Sequence, residues 1–257
     1  MSMRAILTDC DAWVVAVVLA TAMLAAWVGG LWWGRTPSGP KREKEPDKFN
    51  DAVLALMGLL LGFTFSMSLA RHEQRRQMVV TDSNAIGDFY TSLSLLKEPV
   101  RGKLQNVVRE YVEHRLSIPK ATKDEAALQQ RLDEIRAMQA QMVALVNEAI
   151  EGGTPVVVPL VNTLNGLTSA HASRLSGLRD HVPPGVVLLL ILAAIIAMVL
   201  LGYQQGMTRE LHPVAASGFT ALVCLVLWVT LDLNQPQRGL ITVSQEPMEQ
   251  LLKSMEK

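Results

Sequence analysis

Reactive side chains are sparse in this chain of 257 residues, and their spacing argues against bond-making chemistry. His72, His114, His171, His181 and His212 are scattered along it. Glu110, Glu113 and His114 share about one helical turn and come nearest to a metal-ligand cluster, but no second cluster partners them. Cys10 and Cys224 form no CxxC pair and no disulfide framework. HExxH, GxSxG, the Walker loop and a GxGxxG after a strand are all missing. The expectation is therefore a protein that is not an enzyme, with no catalytic residue, no metal and no cofactor. A basic stripe interleaved with aromatics is also missing, so nucleic acid is not an expected partner.

A different pattern suggests the handling of ions rather than bonds. At about 100° per residue, Asp51, Ala55, Gly58, Gly62, Ser66 and Leu69 share one stripe of a helix. Phe65 borders the stripe, and Phe63 points elsewhere with Leu56, Leu59 and Leu60. Gly58 and Gly62 make a GxxxG, which lets two helix backbones approach closely. Small and polar residues on one face of a span signify either such packing or the wall of a water-filled pore. Arg71, Arg75 and Arg76 follow directly. They read as an anion-attracting pore mouth or as a helix end whose long side chains snorkel to the membrane surface. In the same phase, Arg76, Val80, Ser83, Asn84, Gly87 and Tyr90 stay near the stripe.

The element that must hold these residues is one long helix over Asn50–Leu96. It begins as a membrane span at 52–70, and nothing in the sequence stops it at Arg71. At 1.5 Å per residue it reaches roughly 70 Å, more than twice a ~30 Å hydrocarbon core. Three further apolar stretches are long enough to cross a bilayer: 12–33, 185–202 and 214–231. The first lacks the basic N-region and cleavage site of a signal peptide and reads as retained. Trp32 and Trp33 form an interfacial belt at its end.

Between spans 2 and 3 the 3.6-residue period returns with charged outer faces. Val100–Leu116 places Leu104, Val107, Val108, Tyr111 and Val112 on one face. Asp124–Ile150 does the same with Leu128, Leu132, Ile135, Met138 or Met142, Leu145 and Ala149, and Gly152–Gly153 stops it. Pro155–Arg179 aligns Val158, Val161, Leu164, Leu167, His171, Leu175 and Leu178. A turn over 203–213 joins spans 3 and 4. After span 4, Ser244 is the expected cap of a terminal amphipathic helix carrying Met248, Leu251, Leu252 and Met255.

These elements predict an all-α integral membrane protein with four transmembrane helices and a helical soluble domain inserted between spans 2 and 3. The expected divisions are a transmembrane hairpin at 1–70, the soluble domain at 71–181, a second hairpin at 182–232, and a C-terminal turn and helix at 233–257 that docks on the soluble domain. The expected place is the cell (inner) membrane, crossed several times. Lys and Arg counts in the short turns favour those turns inside, while Arg71, Arg75, Arg76, Arg174 and Arg179 at the edges of the insert favour the opposite orientation.

Several of these stretches carry a family resemblance. GFTFSMSLAR (62–71), then Gln74, Arg75 and Arg76, then Ser83, Asn84, Ala85, Ile86, Gly87 and Tyr90, then Leu95, Pro99 and Arg101 resemble a bacterial membrane-protein family described as bestrophin-like. The tail DLNQPQRG (232–239), with Pro236, Arg238 and Gly239, followed by Val243, Ser244 and Pro247, is similar to that family too. The resemblance runs from the second span to the C-terminus. It implies kinship with bestrophins: oligomeric anion channels, four spans to a subunit, with the pore lined by the second span. No acidic cluster of the bestrophin calcium-clasp kind is present in the sequence.

Two functions compete on these residues. One is a homo-oligomeric channel, with Gly58, Gly62 and Ser66 giving width, Phe63 or Phe65 a constriction, Arg71, Arg75 and Arg76 a mouth, and inorganic anions as the cargo. The other is a non-conducting scaffold or sensor whose helical insert binds a partner. Either has the lipid bilayer as its first partner.

Overall fold

Among the described residues four helices are long and apolar enough to cross a membrane: α1 (Ala12–Arg35), α2 (Lys48–Leu93), α6 (Pro184–Thr208) and α7 (Pro213–Leu233). Between and after them lie α3 (Val100–Leu116), α4 (Glu125–Glu151), α5 (Val157–Arg179) and α8 (Glu246–Met255). The computed structural model describes residues 12–36, 48–117, 125–179, 182–234 and 240–256. Among these residues no strand occurs. Cys10, the linker over 37–47 and the family-motif residues Pro236, Arg238 and Gly239 lie outside the described residues.

The chain divides into two compact units, Met1–Arg71 with His181–Ile241, and His72–Asp180 with Thr242–Lys257. Helix α2 contributes residues to both and is unbroken at Arg71. The run RHEQRRQ (71–77) contains no Pro or Gly to end a helix, so the backbone ladder continues into a polar sequence.

The first unit has two kinds of surface. Its interior joins Leu19 and Met23 of α1, Met57 and Leu61 of α2, Leu190, Ala194 and Met198 of α6, and Val223 and Leu227 of α7. Its exterior leaves Trp13, Val17, Val28, Trp32, Trp33, Leu56, Leu59, Phe63, Leu189, Leu192, Ile196, Leu222 and Leu225 exposed. An apolar face of that extent would aggregate in water and is ordinary in lipid. The tightest seam is between α1 and α6, where Gly30 and Gly34 meet Gly202 and Gly206. A Cβ at Gly30 would strike the Val199 carbonyl oxygen, one at Gly202 the Trp27 carbonyl oxygen, and one at Gly206 would sit 2.5 Å from the Leu31 carbonyl oxygen. Two GxxxG motifs thus face each other. This seam also explains a difference from the sequence reading: α6 runs past Gly202 to Thr208 and is closed by Arg209 at φ 57°, so the turn is shorter than expected.

Gln205 is the polar anchor of that corner. Its Oε1 accepts from Trp27 Nε1 at 3.2 Å and from the His212 backbone N–H at 3.4 Å. At the other end of α7, Asp232 accepts from the backbone N–H groups of Leu240 and Ile241 at 3.0 and 2.9 Å. Asn234 Oδ1 accepts from Val182 N–H at 2.8 Å.

The second unit is a helical bundle around Ile86, Phe89, Leu93, Leu104, Val108, Tyr111, Ile135, Met142, Leu160 and Leu167. All five residues expected inside α3 are buried. In α4, Val146 is buried where Leu145 was expected and Leu145 is only half-buried. In α5, Val158 is 69% exposed and Leu160 takes its place, because at about 100° per residue Val158 lies roughly 120° round the helix from Leu164 while Leu160 shares the buried stripe of Leu164, Leu167 and His171. Helix α8 has Gln245, not Ser244, at its N-cap, and Ser244 Oγ accepts from Glu246 N–H at 3.2 Å instead.

Candidate functional site

The inner face of α2 in the first unit is Met57, Leu61, Thr64 and Ser68. These positions recur at i, i+4, i+7 and i+11, one helical stripe. The hydroxyl of Thr64 is satisfied by its own helix, donating to the Leu60 carbonyl at 2.7 Å. Asp51, Ala55, Gly58, Gly62, Ser66 and Leu69 form a second stripe turned well away from the first, and every one of them is exposed. A Cβ added at Gly58 or Gly62 would meet nothing within 4 Å. Within its own chain, then, this GxxxG packs against nothing, in contrast to Gly30/Gly34 and Gly202/Gly206. Phe65, 37% exposed, stands beside the open stripe; Phe63, 65% exposed, is on the side of Leu56 and Leu59.

The three arginines part company. Arg75 is 4% exposed and its Nε donates to the Gly177 carbonyl of α5 at 3.2 Å. Its place is the end of α5, where a cation meets the unpaired carbonyls of a helix C-terminus. Arg76 is exposed and paired with Glu73 at 3.3 Å. Arg71 is half-buried.

Beyond the arginines, the family-motif residues do not stay together on the open stripe. Asn84 remains exposed, but Ser83, Gly87 and Tyr90 turn to the C-terminal helix. Ser83 Oγ donates to the Pro247 carbonyl at 2.9 Å, a Cβ at Gly87 would lie 3.3 Å from Leu251, and Tyr90 Oη donates to the Met255 carbonyl at 3.4 Å. Arg109 donates to the same Met255 carbonyl at 2.8 Å. These residues recur every three to four positions, which is why one helix face can seat another helix.

The strongest electrostatic feature was missed by sequence reasoning. Asp82 is 0% exposed. Arg115 holds it with a two-pronged fork, Nη1 to Oδ1 at 3.0 Å and Nη2 to Oδ2 at 2.5 Å, and Arg174 adds a bond to Oδ2 at 2.9 Å. Arg115 also donates to Tyr111 Oη at 3.2 Å, as does Gln139 at 3.3 Å. Arg174 reaches Gln245 Oε1 at 2.6 Å. The His171 ring sits edge-on to Tyr111 with centroids 6.2 Å apart. Burial alone would raise the Asp82 carboxyl; Arg115 and then Arg174 overcome it and hold the group below the ordinary Asp value. Burial, with the Arg115 charge next, pushes His171 down to about 4. Burial raises the Tyr111 phenol. The clue was available: Val79, Asp82, Ile86, Phe89 and Leu93 share one helix stripe, so the aspartate stands in an otherwise apolar row.

His114 of the Glu110–Glu113–His114 group lies 3.0 Å from Glu134 of α4. Among the described residues no three His, Cys, Asp or Glu side chains converge as metal ligands would.

A model of the bestrophin-like domain matches residues 16–248. The chain belongs to the bestrophin-like family. Two crystal structures of single-substitution variants of a bacterial bestrophin homologue from Klebsiella pneumoniae share the fold of this bestrophin-like chain. One has a TM-score of 0.67 at 13% identity, the other 0.64 at 14%, with 94% of each chain covered in both cases. A third crystal structure, described only as that of a membrane protein, has a TM-score of 0.64 at 13% identity and covers 94% of this chain and 93% of its own. Among curated protein sequences nothing matches. The bestrophin-like chain is thus a membrane protein that is helical among the described residues, with four helices there able to span.

Proposed function

We propose that this bestrophin-like protein forms a homo-oligomeric ion channel in the cell (inner) membrane. Copies of α2 surround an axis, with His72–Asp180 and α8 standing in water. The observation that carries the reading is the stripe Asp51, Ala55, Gly58, Gly62 and Ser66, which the chain's own packing leaves open while Met57, Leu61, Thr64 and Ser68 face inward. Membership of the bestrophin-like family supports it. Phe65, beside the stripe, is the constriction residue in this arrangement, in preference to Phe63. Arg71 and Arg76 remain as mouth residues, whereas Arg75 is engaged with α5.

Kinship to bestrophins favours an anion as the cargo. A cation is the second reading, favoured by the exposed carboxylates of Asp51, Glu73 and Asp88 and by the pairing of Arg76 with Glu73. Purified protein in planar bilayers under a salt gradient decides. Conductance with a reversal potential at the anion equilibrium potential supports the first reading, one at the cation potential the second. Silence in every gradient ends the channel proposal and leaves a membrane scaffold.

A further inference from the structure

The Asp82 cluster has an unbalanced charge. One enclosed carboxylate faces two guanidinium groups, Arg115 and Arg174, whose side chains are 6% and 16% exposed. His171, 7% exposed, lies against the same cluster through Tyr111, and its Nδ1 is buried without a hydrogen-bond partner among the described residues. The groups around this imidazole are Asp82 of α2, Tyr111 and Arg115 of α3, Arg174 on its own helix α5 and, more remotely, the exposed Arg136 of α4, itself paired with Asp133 at 2.6 Å. Asp82 supplies the negative charge of that set, and both guanidinium groups already use it. A proton added to His171 finds no acceptor at Nδ1 and meets a net positive surrounding.

The same cluster holds the end of the chain. Arg174 bridges Asp82 and Gln245, the residue immediately before α8. A third positive charge beside Arg174 is relieved most directly by moving α5, which carries both Arg174 and His171. That movement takes away the bond to Gln245.

We propose that this cluster is an acid-sensitive latch: protonation of His171 loosens α5 from the Asp82–Arg115 pair and releases its hold on Gln245, leaving the contacts of Ser83, Tyr90 and Arg109 as the remaining attachment of α8. The direction follows from the low affinity of the folded state for that proton, about 4 against an ordinary 6.5. Between those two values the loosened form binds the proton and the latched form does not. Opening is therefore favoured by up to about tenfold for each pH unit of acidification in that window. Asp82, held below its ordinary value, stays ionised through most of it.

Hydrogen–deuterium exchange on the full chain in nanodiscs at pH 7.5, 6.5, 5.5 and 4.5 tests this, with protection corrected for the intrinsic exchange rate at each pH. Protection of 157–179 and 246–255 should be level from pH 7.5 to 6.5 and then fall by up to about tenfold per unit, while α1 and α6 are unchanged. His171→Phe, which keeps a ring against Tyr111, should remove the fall. His171→Gln serves as a second neutral variant should the larger ring disturb folding. Flat protection in the wild type overturns the proposal, as does a fall of equal size in a folded neutral variant.

Discussion

Asp82 is the buried carboxylate that two largely enclosed guanidinium groups share. Removing its charge strands both, and breaking a buried pair from one side costs about 3–5 kcal/mol. Asp82→Asn should lower the unfolding free energy of the protein by that order, read by denaturant titration in detergent. Arg115→Met should cost more than Arg174→Met in the same assay, because Arg115 makes the two-pronged contact and is the more deeply enclosed. The pH dependence has two separable parts. Asp82 has a folded value below 3.8, so its contribution is present above that pH and is lost as pH falls through the lowered value. His171 is favoured neutral in the fold, so its contribution is complete above about 6.5 and declines as pH falls towards 4. Melting temperature should therefore begin to drop below pH 6.5 in the wild type, and only nearer pH 4 in His171→Phe.

Three GxxxG pairs occur in the helices of the membrane unit, and the structure uses them differently. Gly30/Gly34 and Gly202/Gly206 bring α1 and α6 together, backbone against backbone. Gly202→Val puts branched carbon where the Trp27 carbonyl oxygen is, so it should destabilise the folded protomer by about 1–3 kcal/mol or prevent its accumulation, as overpacking does; thermal melting of the purified variant measures this. Gly58→Leu has open space around it. It should leave the protomer's melting unchanged and instead shift the native mass in nanodiscs towards a single chain. A multi-copy mass retained by Gly58→Leu would remove α2 from the proposed interface. Helix α8 depends on a lighter contact: Gly87→Val crowds Leu251, which can yield, so a modest loss of protection confined to 246–255 is expected.

At the scale of the proposed assembly, the expected effect is on rate rather than stability. If α2 lines an axis, truncating the constriction should widen it. Phe65→Ala should raise unitary conductance in planar bilayers, while Phe63→Ala, on the side of Leu56 and Leu59, should leave it near the wild-type value. Equal effects of the two substitutions would mean that the aromatic pair does not distinguish a pore side from a lipid side.

The four spans, the run of α2 through Arg71 and the buried face of α3 were all readable from the chain because they depend on local period, apolar length and the presence or absence of helix breakers. Family membership was readable from short residue runs for the same local reason. What remained hidden depended on partners distant in the chain. Arg75 sits among other arginines near the end of a span, and only the approach of Gly177, 102 residues on, decides that it is a packing residue. Asp82 looks like part of the polar run Thr81–Asn84 until Arg115 and Arg174 arrive from two other helices. A GxxxG can show that close approach is permitted, but the tertiary contacts choose which pairs make it within the chain and leave Gly58 and Gly62 facing outward.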